Sequence, residues 1–219
     1  MKTFEKATIP FGMVGALAYL IHTILGRILW REYNPMTTDI SSLTAIGAPN
    51  RDLLSVFTMI YGLSMLLFIS GLIVKAFRTY HWGVRTGYVI LFVMQLVSFF
   101  GYGLFPLSGD KTVMTFQNQM HIIVTVIVVF TTIAAGYFLA FGYLKQEKQR
   151  NMGRFLLFMS ILITLTGASN PIGMGAKLNI LGLTERLVIY SLMFMMFCLS
   201  WHYSILQRRE VRRPASAED

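Results

Sequence analysis

Charge and cysteine are what this 219-residue chain has least of. Only 13% of its residues are charged, whereas a soluble domain carries roughly a quarter. That shortage excludes an ordinary water-facing surface around one soluble core. The single cysteine, Cys198, excludes an internal disulfide. It sits deep in the last apolar run and reads as packing rather than as a reactive thiol. The chain has no P-loop and no Gly-x-Gly-x-x-Gly, which excludes a soluble nucleotide enzyme. It also lacks His-x-x-x-His, His-Glu-x-x-His and a Gly-x-Ser-x-Gly nucleophile turn. No metal and no cofactor is therefore assigned. No carboxylate stands at mid-span, as a proton pump would want, and no filter-like motif suggests a channel.

What is present is apolar sequence: 55% of the residues are hydrophobic and the mean hydropathy is +0.59. Several uncharged runs exceed the roughly 18 residues expected of a membrane span. The fold class expected is all-α, a polytopic bundle of six transmembrane helices. The spans fall near Ile9–Leu29, Leu53–Val74, Val84–Phe105, Gln119–Leu144, Phe155–Ser169 and Arg186–Leu206. The first run continues to about Leu29 with no small-x-small cleavage site before a soluble domain, and reads as an uncleaved span. Residues 1–206 form one six-helix domain on this reading, and 207–219 form a basic, disordered cytoplasmic tail.

Six spans put both termini on one side. Of the 19 lysines and arginines, 13 fall on that side and 6 on the other. The positive-inside rule places both termini in the cytoplasm. Orientation and anionic lipid account for the net charge of +9, so membrane lipids are the expected partners and nucleic acid is not. The inside loops are short. The outside connections are longer and more polar: "REYNPMTTDISSLTAIGAPNRD", "PLSGDKTVMTFQN" and "NPIGMGAKLNILGLTE". The first should form an ordered, partly helical cap, with Leu43, Ile46 and Ala48 packing down on the bundle.

Small and weakly polar residues recur on helix faces, as in His121, Thr125, Thr132 and Gly136, and suit close packing in lipid. Gln95, at mid-span, must find a partner. The fifth span is only 15 residues before Asn170-Pro171, either an early helix end or a broken helix lining a cavity. An internal echo links the first and third outside loops. Asn34-Pro35 leads to Gly47 and Arg51, and Asn170-Pro171 leads to Gly182 and Arg186. An arginine at a helix N-terminus opposes the helix dipole, so Arg186 needs another attraction, such as a carboxylate or a lipid phosphate.

The stretches "REYNPMTTDISSLTAIGAPNRDLLSVFTMIYG", "GLFPLSGDKTVMTFQNQMH" and "LGLTERL" resemble, in order and spacing, the DUF998 family of bacterial integral membrane proteins. The matching marks are Ser41 to Gly47, Phe105-Pro106 with Asp110, the helix headed by His121, and Gly182 to Arg186. The resemblance covers most of the chain. It implies a six-span protein of a bacterial cytoplasmic (plasma) membrane and names no reaction.

The candidate outer-face cluster comprises His121, Asp39, Ser42, Arg51, Asp110, Glu185, Arg186 and His22, the last on the first span roughly 10–12 Å inward of its outer end. Three readings stay open. In the first, these residues line an outward-facing pocket that binds or transports a lipid headgroup or small polar solute, with Arg51 and Arg186 holding an anionic group. In the second, the protein is a non-catalytic envelope scaffold whose polar contacts lock the loops. In the third, it is an intramembrane hydrolase or transferase using His121 with outer-face carboxylates. Catalytic residues and oligomeric state are not assigned.

Overall fold

A computed structural model describes residues 2–109 and 113–212, with side chains described as far as residue 205. Seven α-helices follow in order: α1 Lys2–Thr8, α2 Phe11–Leu29, α3 Arg51–Thr79, α4 Trp82–Leu104, α5 Phe116–Leu144, α6 Arg150–Gly175 and α7 Leu181–Arg212. Short 3-10 helices occupy Ile40–Thr44 and Glu147–Gln149. Six helical segments are long and apolar enough to cross a membrane, α1 and α2 together supplying the first. Along such helices the backbone groups bond to one another, as lipid requires, except at the prolines described below. Of the tail expected over 207–219, residues 207–212 continue α7, and 213–219 lie outside the described residues.

Sequence neighbours pack against one another, and α2 also packs against α7. The six spans therefore form a closed ring. Its two ends differ: one carries the chain termini, and the other, here called distal, carries the connections after α2, α4 and α6. Small residues set the close approaches. A Cβ on Gly136 would lie 2.5 Å from the Ser160 hydroxyl, so α5 and α6 meet there. Glycine permits such contact where burial alone drives no association.

The first span is broken at Pro10, which has no N–H to donate. The last helix repairs the break. The Ser200 hydroxyl donates to the Ile9 carbonyl at 2.7 Å and accepts from the Met13 N–H at 3.1 Å. Beyond the break, the Glu5 carboxylate pairs with Arg78 of α3.

The fifth span differs from both sequence expectations. It neither ends at Ser169 nor breaks, but runs on as helix to Gly175 with Pro171 inside it. The proline deprives one carbonyl of its donor. The carbonyl affected is that of Gly167, four residues earlier; next to it the Ser169 hydroxyl donates to the Thr166 carbonyl at 2.5 Å.

Candidate functional site

The first distal connection is an ordered cap. Leaving α2, the chain turns at Asn34, whose side-chain oxygen accepts the Met36 N–H at 3.0 Å. Asp39 then caps the 3-10 helix in an extended conformation, and its carboxylate accepts from the hydroxyls of Ser41 (2.9 Å) and Ser42. Leu43 drops between helices onto Gly26, where a Cβ would lie 2.6 Å from its methyl. Tyr33, Ile40, Leu43 and Leu54 form a small buried cluster. Ile46 does not pack down as expected and is 49% exposed. Its N–H donates to the Leu107 carbonyl at 2.8 Å, which ties the first connection to the second and turns the side chain outward.

The start of α7 clasps this cap. Arg186 donates through Nη1 to the carbonyls of Pro35 (2.7 Å), Thr38 (3.0 Å) and its own Gly182 (2.9 Å). Nη2 donates to the Tyr33 hydroxyl. That hydroxyl in turn donates to the Asp39 carbonyl at 2.8 Å. Burial pushes the Tyr33 phenol up to about 12, against the opposing pull of Arg186, so it remains a donor. The Glu185 carboxylate accepts the Ile40 N–H at 2.5 Å, at the N-terminus of the 3-10 helix. The attraction that holds Arg186 against its own helix dipole is thus a set of loop carbonyls.

Gly182 allows this docking. A Cβ there would fall 2.3 Å from the Thr38 oxygen and 2.5 Å from the Pro35 oxygen. Gly47, its counterpart in the sequence echo, has nothing within 4 Å and a φ of +84°. Asn34-Pro35 forms a turn, while Asn170-Pro171 lies within a helix. The echo is one of letters and not of structure.

The second distal connection is pinned by Asn118, which is fully buried. Its side chain accepts the Ser108 N–H at 2.9 Å and donates to the carbonyls of Ser108 and Val113, both at 3.0 Å. Thr115 caps α5 by accepting the Asn118 N–H at 3.2 Å. His121, one turn further, donates Nδ1–H to the Phe105 carbonyl at 2.8 Å, and its ring lies 5.0 Å from that of Tyr102. The Tyr102 hydroxyl donates to Thr125 at 3.2 Å.

Below the cap lies a deeper polar layer, roughly 10–15 Å along the helices from their distal ends. His22 is 1% exposed, and neither ring nitrogen has a hydrogen-bond partner among the described residues. Its ring meets that of Tyr19 at 5.5 Å, and Tyr19 meets Tyr61 at 4.8 Å. The Tyr61 hydroxyl donates to Oε1 of Gln95 at 3.4 Å. Gln95 is also 1% exposed, and its Nε2 has no partner. Beside them the Tyr190 hydroxyl of α7 donates to Thr23 of α2 at 3.0 Å. Tyr19 lies within electrostatic range of Tyr102, Tyr190 and Glu185. A buried polar atom without a partner costs about 1–3 kcal/mol, so these three nitrogens at one depth of the bundle leave an open demand for hydrogen bonds.

The candidates from sequence therefore divide. Asp39, Ser42, Glu185 and Arg186 belong to the cap. His121 secures the second connection, and His22 lies in the deeper layer. Arg51 opens α3 half-buried. Its side chain makes no hydrogen bond or ion pair among the described residues. Asp110 lies outside the described residues. Sequence reasoning missed Tyr33, Tyr61, Tyr190 and Asn118. Only Asn118 left a signal, standing three residues after the cap residue Thr115. Among the described residues no group of three or more His, Cys, Asp or Glu side chains could hold a metal ion.

Compared with known proteins, residues 13–202 match a family described as "Protein of unknown function (DUF998)". No curated protein and no solved structure matches the chain.

Proposed function

The chain belongs to the DUF998 family, and from that premise we propose that it is a membrane-embedded binding protein whose ligand, a lipid headgroup or small polar solute, is held at the His22 layer. The observation that carries this reading is His22 itself, buried with both ring nitrogens unpartnered. An intramembrane polar group of this kind is retained at a cost, and a bound ligand would offset it. Gln95 offers its Nε2 to the same layer, and Tyr61 connects the two residues. The excess of lysine and arginine at the termini end supports an orientation with the distal end outward.

Binding is favoured over passage. Beyond the polar layer, towards the termini, the ring is filled by Met65, Phe68, Leu91, Met94, Met193 and Met196, all buried. Further towards the termini the hydroxyls of Tyr88, Tyr143 and Tyr203 are bonded in series at 2.7 and 2.5 Å. A polar ligand at His22 meets an apolar floor.

A second reading, a scaffold with no ligand, is favoured by Arg186, whose bonds run to loop carbonyls and to Tyr33. One experiment separates the two. The protein is released from its own membranes in a mild detergent and weighed intact by native mass spectrometry. The binding reading expects a retained small molecule that is lost in His22→Phe, with helical content unchanged by circular dichroism. A bare wild-type protein, or an adduct indifferent to His22, supports the scaffold.

A further inference from the structure

Resting on the binding reading, we infer that the group that answers His22 and Gln95 is uncharged and hydroxyl-bearing, the chemistry of a diacylglycerol or sugar headgroup or of a free polyol. The inference follows from what the layer leaves unanswered. A neutral imidazole presents one N–H and one lone pair. Neither nitrogen of His22 is answered among the described residues. Gln95 has its oxygen engaged by Tyr61, and its Nε2 is left as a second donor. A ligand that satisfies both side chains must therefore accept and donate. A hydroxyl does both with one atom. A phosphate or carboxylate only accepts, and an ammonium only donates.

Electrostatics point the same way. An ion at this depth needs an opposite charge to compensate its lost hydration. The guanidinium of Arg186 is turned to the carbonyls of Pro35 and Thr38 and to Tyr33, all in the cap. The Glu185 carboxylate is likewise turned to the cap, where it accepts the Ile40 N–H. The half-buried rings of Tyr19 and Tyr61 add apolar faces suited to the carbon skeleton of a polyol or glyceride.

The test uses the full chain in phosphatidylcholine nanodiscs doped with one of three lipids sharing the same acyl chains. These are dioleoylglycerol, dioleoyl phosphatidate and the dioleoyl trimethylammonium-propane cation. Free glycerol is added as a competitor in a parallel series. Binding is read as the fraction of one-to-one complex by native mass spectrometry. Dioleoylglycerol should bind in preference to both charged lipids. Gln95→Leu should weaken its binding about fivefold, the loss of roughly one net hydrogen bond. Tyr61→Phe removes only a hydroxyl, and it should weaken binding in the same direction if Gln95→Leu fails to fold. Displacement by glycerol would identify a free polyol as the source of the hydroxyl, and no displacement would identify the lipid. If phosphatidate or the cation binds in preference, and that binding depends on Gln95, the headgroup class is overturned while the binding site stands. If no probe binds in a manner sensitive to Gln95 or Tyr61, the inference and the site fall together.

Discussion

Arg186 holds Tyr33 in two ways at once: Nη2 donates to the phenol oxygen while the guanidinium lies 5.3 Å from the centre of the same ring. The pair joins the start of the last span to the loop after the first. It fixes the cap by hydrogen bonding and by cation–π attraction together. Arg186→Met keeps the aliphatic length but leaves the Pro35 and Thr38 carbonyls unanswered. We expect a loss of about 3 kcal/mol, read as a lower melting temperature in detergent and faster proteolysis between residues 31 and 50. The Tyr33 phenol is raised from 10.0 to about 12 in the folded protein. Its contribution to stability is whole below the unfolded value and is lost as pH rises from 10 towards 12. Melting curves across that window should fall less steeply for Tyr33→Phe than for wild type.

Gly182 and Gly47 give a contrast of mechanism. Gly182→Ala drives a methyl into the oxygens of Thr38 and Pro35 and should detach the cap from α7. Gly47→Ala meets open space but must hold φ near +84°, at a cost of about 1–2 kcal/mol. The melting temperature of Gly182→Ala should be much the lower. Equal values would mean that the cap does not dock as described.

At the second connection, His121→Gln keeps a donor for the Phe105 carbonyl, while His121→Leu removes it. The leucine variant should lose about 1–3 kcal/mol and the glutamine variant less, measured by thermal unfolding. Equal stability of both with wild type would count against a structural role for the His121–Phe105 bond.

Orientation is tested by labelling. Single cysteines at Met114 and Glu147, both exposed, in a Cys198→Ser background should react oppositely with an impermeant thiol reagent added to intact cells. We expect Met114→Cys to label and Glu147→Cys to stay unlabelled. The reverse pattern would place the distal end inside.

The six spans were legible because lipid leaves the sequence little choice: an uncharged run of that length has few other stable states. The end of α6 was not legible. Pro171 reads as a stop in water, whereas inside the bundle the helix carries it and runs on to Gly175. Arg186 announced itself by standing against its own helix dipole. Its partners could not be read, because the carbonyls of Pro35 and Thr38 are about 150 residues away in the chain and carry no side-chain signature. His22 and Gln95 stood out as polar residues within spans. That Tyr19 and Tyr61 would bring them into one layer depends on how α2, α3 and α4 rotate about their axes, which side-chain packing decides.

Ser200 gives the closed ring a consequence for how the protein is made. Ile9 and Met13 emerge from the ribosome long before their partner, which lies 187 to 191 residues further along the chain. Until α7 arrives, the break at Pro10 has no hydroxyl to bridge it, and the cap has no Arg186 to clasp it. Both ends of the first span are thus finished by the final one. A chain that stalls before α7 is left with a loose terminal segment at one end and a free loop at the other, features a membrane quality-control protease could read as an unfinished product.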